Sequence, residues 1–148
     1  MDTTHLHLMV NHFPLAGLIF SLLLLLASWL FKSKDLMRAG LVGIFLTGLV
    51  TIPTFFTGES AEEAMEQLPG ISEQLIKNHE EAAEKAIWLI GATALTAIFI
   101  FLIQIKKKAT SKWLITLLVI LSVLSVAVLA WTNNLGGQIS HPEIRKNK

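Results

Sequence analysis

Residues 9–31 read MVNHFPLAGLIFSLLLLLASWLF. The run holds no Asp, Glu, Lys or Arg and reaches the ~20 residues that a helix needs to cross a hydrocarbon core. Three more apolar runs follow at 36–56, 86–105 and 113–131. The pattern predicts an all-α integral membrane four-helix bundle, one domain over residues 1–148. Its spans lie at about 9–31, 36–56, 82–105 and 113–133, with an outer helical connection over 58–80. The first run has no basic residue before it and is too long for a signal-peptide core, so it is expected to be retained.

With 53% hydrophobic and 16% charged residues in a chain of 148, the solvent must be lipid. A net charge of +1 provides no field for nucleic acid. The absence of cysteine excludes disulfides, iron-sulfur ligation, thiolate metal sites and covalent c-type haem attachment.

Charge position sets the expected topology. Lys32, Lys34 and Arg38 lie between the first two spans, and Lys106, Lys107, Lys108 and Lys112 between the last two. Both loops should therefore face the cytoplasm and both termini the outer, periplasmic side of a bacterial inner membrane. The middle connection is rich in Glu, as suits the outer side. The Arg145/Lys146/Lys148 tail runs against this layout. Trp29 and Trp113 fall at the inner ends of their spans and Trp88 and Trp131 at the outer ends, as an aromatic belt requires. Within the connection, Ser60 with Glu63 forms a capping-box pattern, Pro69-Gly70 breaks a helix, and Ser72 can cap the third helix, which then runs unbroken to Gln104. Glu81 and Lys85 form an i,i+4 pair on a solvated face.

All five histidines, His5, His7, His12, His79 and His141, fall on the outer side. A lone histidine there is usually solvated or hydrogen-bonded in a core. Five on one side point to a shared haem or metal site, because imidazole is the usual protein ligand for such iron and bundle cores hold it between facing helices. His79 shares a face with Leu75, Ile76, Ala82, Ala83 and Ala86, which should point inward. Small-residue stripes run through the second span (Gly40, Gly43, Thr47, Thr51, Thr54, Gly58) and the fourth (Ser122, Ser125, Thr132, Gly136). Such stripes serve close helix packing or a slot for a flat cofactor. A bare transition-metal site would draw on Glu59, Glu63 and Glu80 as well. No E-x-x-H, H-E-x-x-H, Walker or dinucleotide motif occurs.

Asn11-His12-Phe13-Pro14-Leu15, Thr57-Gly58 closing the second span, His79 before an alanine-rich third span, and Leu135-Gly136-Gly137-Gln138-Ile139-Ser140-His141 together resemble a family over most of the chain. It comprises small four-span bacterial membrane proteins grouped as domain of unknown function 2231. Relatives beside or fused to cytochrome-type modules make a b-type haem the implied cofactor. The positions matching the family pattern are His12, His79 and His141, whereas His5 and His7 fall outside it. Pro142-Glu143 departs from the glycine expected after His141.

The expected function is a membrane electron-transfer protein binding one or two b-type haems through His12 and His79, with His5, His7 or His141 as alternative or second-haem ligands. Its partners would be the bilayer, a cytochrome or quinone, and further copies or subunits of a membrane complex. An electron carrier or redox subunit fits better than a stand-alone enzyme, and no catalytic residue stands out. Two rivals remain: a non-haem His/Glu metal site with an enzymatic or metal-handling role, and a structural or assembly subunit. Depth complicates the His12/His79 pair. His79 precedes Trp88 by nine residues, roughly 13 Å of helix at 1.5 Å per residue, which sets it nearer the level of His5 than of His12. Either the third helix enters deeper than Trp88 suggests and the His12/His79 pair stands, or His5 or His7 partners His79 and His12 serves a separate boundary site.

Overall fold

In lipid the backbone has no partner but itself, so uninterrupted apolar runs fold as helices. The computed structural model describes residues 3–66, 72–106 and 110–141. The elements are α1 (Thr3–Val10), α2 (Phe13–Leu30), α3 (Lys34–Glu66), α4 (Glu73–Ile105) and α5 (Lys112–Ser140). Four segments are long and apolar enough to cross a membrane: His5–Leu30, Lys34–Met65, Glu73–Ile105 and Lys112–Ser140. Successive helices α2 to α5 pack side by side, α2 closes against α5, and α1 lies on α3. The protein is an all-α four-helix membrane bundle.

Each long helix presents one narrow buried stripe. In α2 it is Pro14, Leu18, Ser21, Leu25 and Ser28, and in α5 Leu118, Ser122, Ser125, Leu129 and Thr132. Steps alternating between four and three residues make a heptad seam, which suits nearly parallel helix packing. Much of the seam is small. A Cβ on Gly40 would lie 2.8 Å from Leu25 Cδ2 and 3.0 Å from the Ser21 carbonyl oxygen, so α2 and α3 touch there through the missing side chain. In the apolar interior Thr93 Oγ1 and Ser125 Oγ lie 2.9 Å apart and join α4 to α5. All four tryptophans are exposed on the outside of the bundle.

The connection between α2 and α3 is a Schellman turn. Ser33 N–H donates to the Ser28 carbonyl (3.0 Å), Lys32 N–H donates to that of Trp29 (3.4 Å), and Lys32 takes the left-handed backbone (φ 50°) that such a turn requires.

One boundary differs from the sequence expectation. The second membrane helix continues past Gly58 to Glu66, so Ser60 and Glu63 sit inside α3 and cap nothing. Ala61, Glu62, Glu63, Ala64 and Met65 are good helix formers with no breaker among them, and continuing a helix is easier than nucleating another. The 58–80 connection is accordingly mostly the protruding ends of α3 and α4. Ser72 is the N-cap of α4, but its side chain makes no capping bond. Pro69-Gly70, Lys107, Lys108 and the chain after His141 lie outside the described residues.

Candidate functional site

Where α1, the end of α3, the start of α4 and the end of α5 converge, they enclose a cavity of about 360 Å³. Small-molecule sites span about 300–1,000 Å³. Two histidines on different helices line it, His7 from α1 and His79 from α4.

Both rings are held in the same way. His7 Nδ1 lies 3.1 Å from the Thr54 carbonyl oxygen on α3, and His79 Nδ1 lies 3.0 Å from the Thr132 carbonyl oxygen on α5. A carbonyl can only accept, so Nδ1 carries the hydrogen in each ring, and Nε2 is left for the cavity. An imidazole whose Nδ1–H is tied to a backbone carbonyl is the usual second-shell arrangement of a metal-ligating histidine. His79 is the better shielded, its side chain 12% exposed, and Glu62 Oε1 stands 3.8 Å from its Nε2.

The rest of the lining mixes buried apolar and exposed acidic residues. Ile76, Ala86 and Leu129 are buried, whereas Glu59, Glu80 and Glu84 are exposed. Among the described residues, no Lys or Arg lines the cavity. Two polar atoms there are buried without a hydrogen-bond partner, Asn11 Oδ1 and Asn133 Nδ2. Such orphans are uncommon in folded proteins and have bonding capacity left for water or another occupant. Among the described residues no three His, Asp or Glu side chains form a metal-binding group.

The expected ligands divide. His79 lines the cavity, while His12 is the N-cap of α2, exposed and not part of the lining. His5 and His141 are also exposed, His141 as the C-cap of α5. The other histidine that lines the cavity is His7. The reason is register: extending the buried stripe of α2 backwards from Pro14 in the same alternating steps reaches Asn11 and then His7, and passes over His5 and His12. That extension was available in the sequence. Asn11, Asn133, Glu62 and the Thr54 and Thr132 carbonyls had no comparable signal, because an amide or a backbone oxygen becomes a site only through its neighbours.

The small-residue stripes divide by depth. Their cytoplasm-directed half, by the expected topology, is packing, as at Gly40; their other half, with Thr54, Gly58, Thr132 and Gly136, lines the cavity.

No curated protein and no solved structure matches the chain. The profile of a family described as predicted membrane protein, DUF2231, matches residues 3–142, nearly the whole chain, and the protein belongs to that family.

Proposed function

We propose that the protein is a membrane electron-transfer protein that holds a b-type haem in this cavity, and that His7 and His79 would be the residues that hold its iron. The observation that carries the reading is the pair of imidazoles on one cavity, each fixed at Nδ1 by a carbonyl of a neighbouring helix and each left with Nε2 as a ligand atom. Ile76, Ala86 and Leu129 offer apolar surface to a macrocycle, and the unpartnered Asn133 Nδ2 can donate to a propionate. Glu59, Glu62, Glu80 and Glu84 share the lining with no Lys or Arg among the described residues, so the propionates would have to point away from them. Bound there, a haem supplies a one-electron ferric/ferrous couple. The protein's own part is to present two neutral imidazoles and keep the ring dry on one side. By charge position the site opens on the outer face of a bacterial cytoplasmic membrane, toward a cytochrome or quinone partner.

The test is purification from haem-replete cells followed by oxidised and dithionite-reduced spectra. A low-spin Soret band with sharp reduced α and β bands is expected. A colourless preparation that also fails to take up added haem overturns the reading. One observation favours a second reading, a His/Glu-bound transition metal: the 3.8 Å approach of Glu62 to His79 Nε2. Stoichiometric metal without a Soret band would select it.

A further inference from the structure

The two histidine-bearing contacts are built alike beyond the hydrogen bond itself. In an α-helix the carbonyl of residue i already accepts from the N–H of residue i+4, but its second lone pair is open. What guards that lone pair is the side chain at i+4, because a helical side chain leans over the turn before its own Cα. For the Thr54 carbonyl that position is Gly58, and for the Thr132 carbonyl it is Gly136. A Cβ on Gly58 would come within 3.2 Å of His7 Cε1 and 3.6 Å of its Nδ1. A Cβ on Gly136 would come within 3.0 Å and 3.4 Å of the same atoms of His79. Neither ring can retreat without lengthening the bond that holds it.

The threonines match as well. Thr54 Oγ1 donates to the Val50 carbonyl and Thr132 Oγ1 to the Val128 carbonyl, both at 2.9 Å. Each of these two hydroxyls is thus turned down its own helix; the Thr54 carbonyl in addition accepts from Thr57 Oγ1 (3.1 Å), which lies 3.4 Å from His7 Nδ1, so the seats differ by that one neighbour. Among the nine glycines of the chain, only Gly58 and Gly136 have a threonine four residues before them, and of the seven glycines whose surroundings are described these are the two that face an imidazole.

We infer that Thr54 to Gly58 and Thr132 to Gly136 are a duplicated imidazole seat, in which the two glycines are positioning residues that fix His7 and His79 as Nδ1–H tautomers. The seat rests on the haem reading only in its last step, where the presented Nε2 becomes an iron ligand. Free imidazole favours the other tautomer, so the seat has a signature of its own before any ligand binds.

The experiment uses the full chain with ¹⁵N-labelled histidine, first haem-free and then after adding haem. The variants are Gly58→Ala, Gly136→Ala and, as a control, Gly91→Ala, where an added Cβ meets nothing within 4 Å. In the haem-free parent, His7 and His79 should both show the Nδ1–H pattern. Each seat alanine should lower the Nδ1–H to Nε2–H ratio of its own histidine by about tenfold, the weight of one hydrogen bond, and leave the other unchanged. In the loaded protein each should convert low-spin to high-spin spectrum, with Gly91→Ala like the parent. Retention of both tautomers in both seat variants overturns the inference. A tautomer change in a chain that takes no haem upholds the seat and removes the haem reading. Low-spin haem that survives both alanines with tautomers unmoved does the reverse. Should one variant fail to fold, the other seat tests the same device on a different helix.

Discussion

Glu62 Oε1 stands 3.8 Å from His79 Nε2, the ring nitrogen that the Thr132 carbonyl leaves over. At that distance the two groups do not share a hydrogen bond. Were an iron held at that nitrogen, as proposed, Glu62 would set a negative charge beside it and compensate the extra charge of the ferric state.

The first prediction follows from that sign. Glu62→Gln removes a charge that favours the ferric form, so the haem midpoint potential should rise. A charge at this distance, screened by water at the mouth, is worth on the order of 1 kcal/mol, roughly 40 to 60 mV for one electron. Redox titration of parent and variant measures it, and a shift to lower potential would contradict the placement of Glu62 beside the ligand ring.

The second concerns which histidines matter. His7→Ala and His79→Ala should each cost the low-spin spectrum, and added imidazole should restore it by occupying the vacated space. His5→Ala, His12→Ala and His141→Ala should keep it, since those side chains are exposed and not part of the cavity lining. Spectra of the five variants decide the matter, and loss of the low-spin form in His12→Ala alone would return the ligand role to the position that the family pattern marks.

The contrast between His12 and His7 also shows what a sequence discloses here and what it does not. Span number and approximate limits follow from hydropathy, because lipid leaves the chain one way to satisfy its backbone. The inward face of His79 follows from its spacing to Ile76 and Ala86, both buried. His12 attracts attention because it opens a conspicuous apolar run, yet the line of the α2 seam, continued backwards from Pro14, meets the cavity-lining Asn11 and His7 instead. α3 runs on through Ser60 and Glu63 because a capping-box pattern is only an option, and residues 60–65 hold no Gly or Pro to make it necessary. The approach of Glu62 to His79 is a product of two protruding helix ends meeting, and nothing local to either residue encodes it.

The third prediction separates packing glycines from seat glycines. Gly40→Ala would press a methyl against Leu25 and the Ser21 carbonyl, and a backbone atom gives way only with a shift of the whole helix. Overpacking of this kind costs about 1–3 kcal/mol. Unfolding in SDS or by heat should show that loss, with the spectrum of the surviving folded fraction unchanged. Gly91→Ala, which meets nothing within 4 Å, should be neutral or gain up to about 1 kcal/mol from the helical preference of alanine. Equal behaviour of the two would mean that α2 and α3 do not approach through Gly40.

The fourth prediction fixes the side of the membrane on which the site opens. Lys32, Lys34, Arg38, Lys106 and Lys112 gather at one end of the bundle, and the histidine end carries Lys77 and Lys85 among a majority of glutamates. Lys85 is partly engaged with Glu81 (4.0 Å) and lies over the Trp131 ring (5.7 Å). Orientation is set by the Lys and Arg bias of short loops, so the lysine-rich end should stay in the cytoplasm. The chain has no cysteine, so a single introduced one reports without background. In intact cells or spheroplasts, Glu80→Cys at the exposed mouth should react with a membrane-impermeant maleimide, and Lys34→Cys should react only after the membrane is opened. Reversed labelling would put the histidine cavity on the cytoplasmic face. The electron partner would then have to be sought among cytoplasmic reductants, because a one-sided cavity exchanges electrons only with what reaches its mouth.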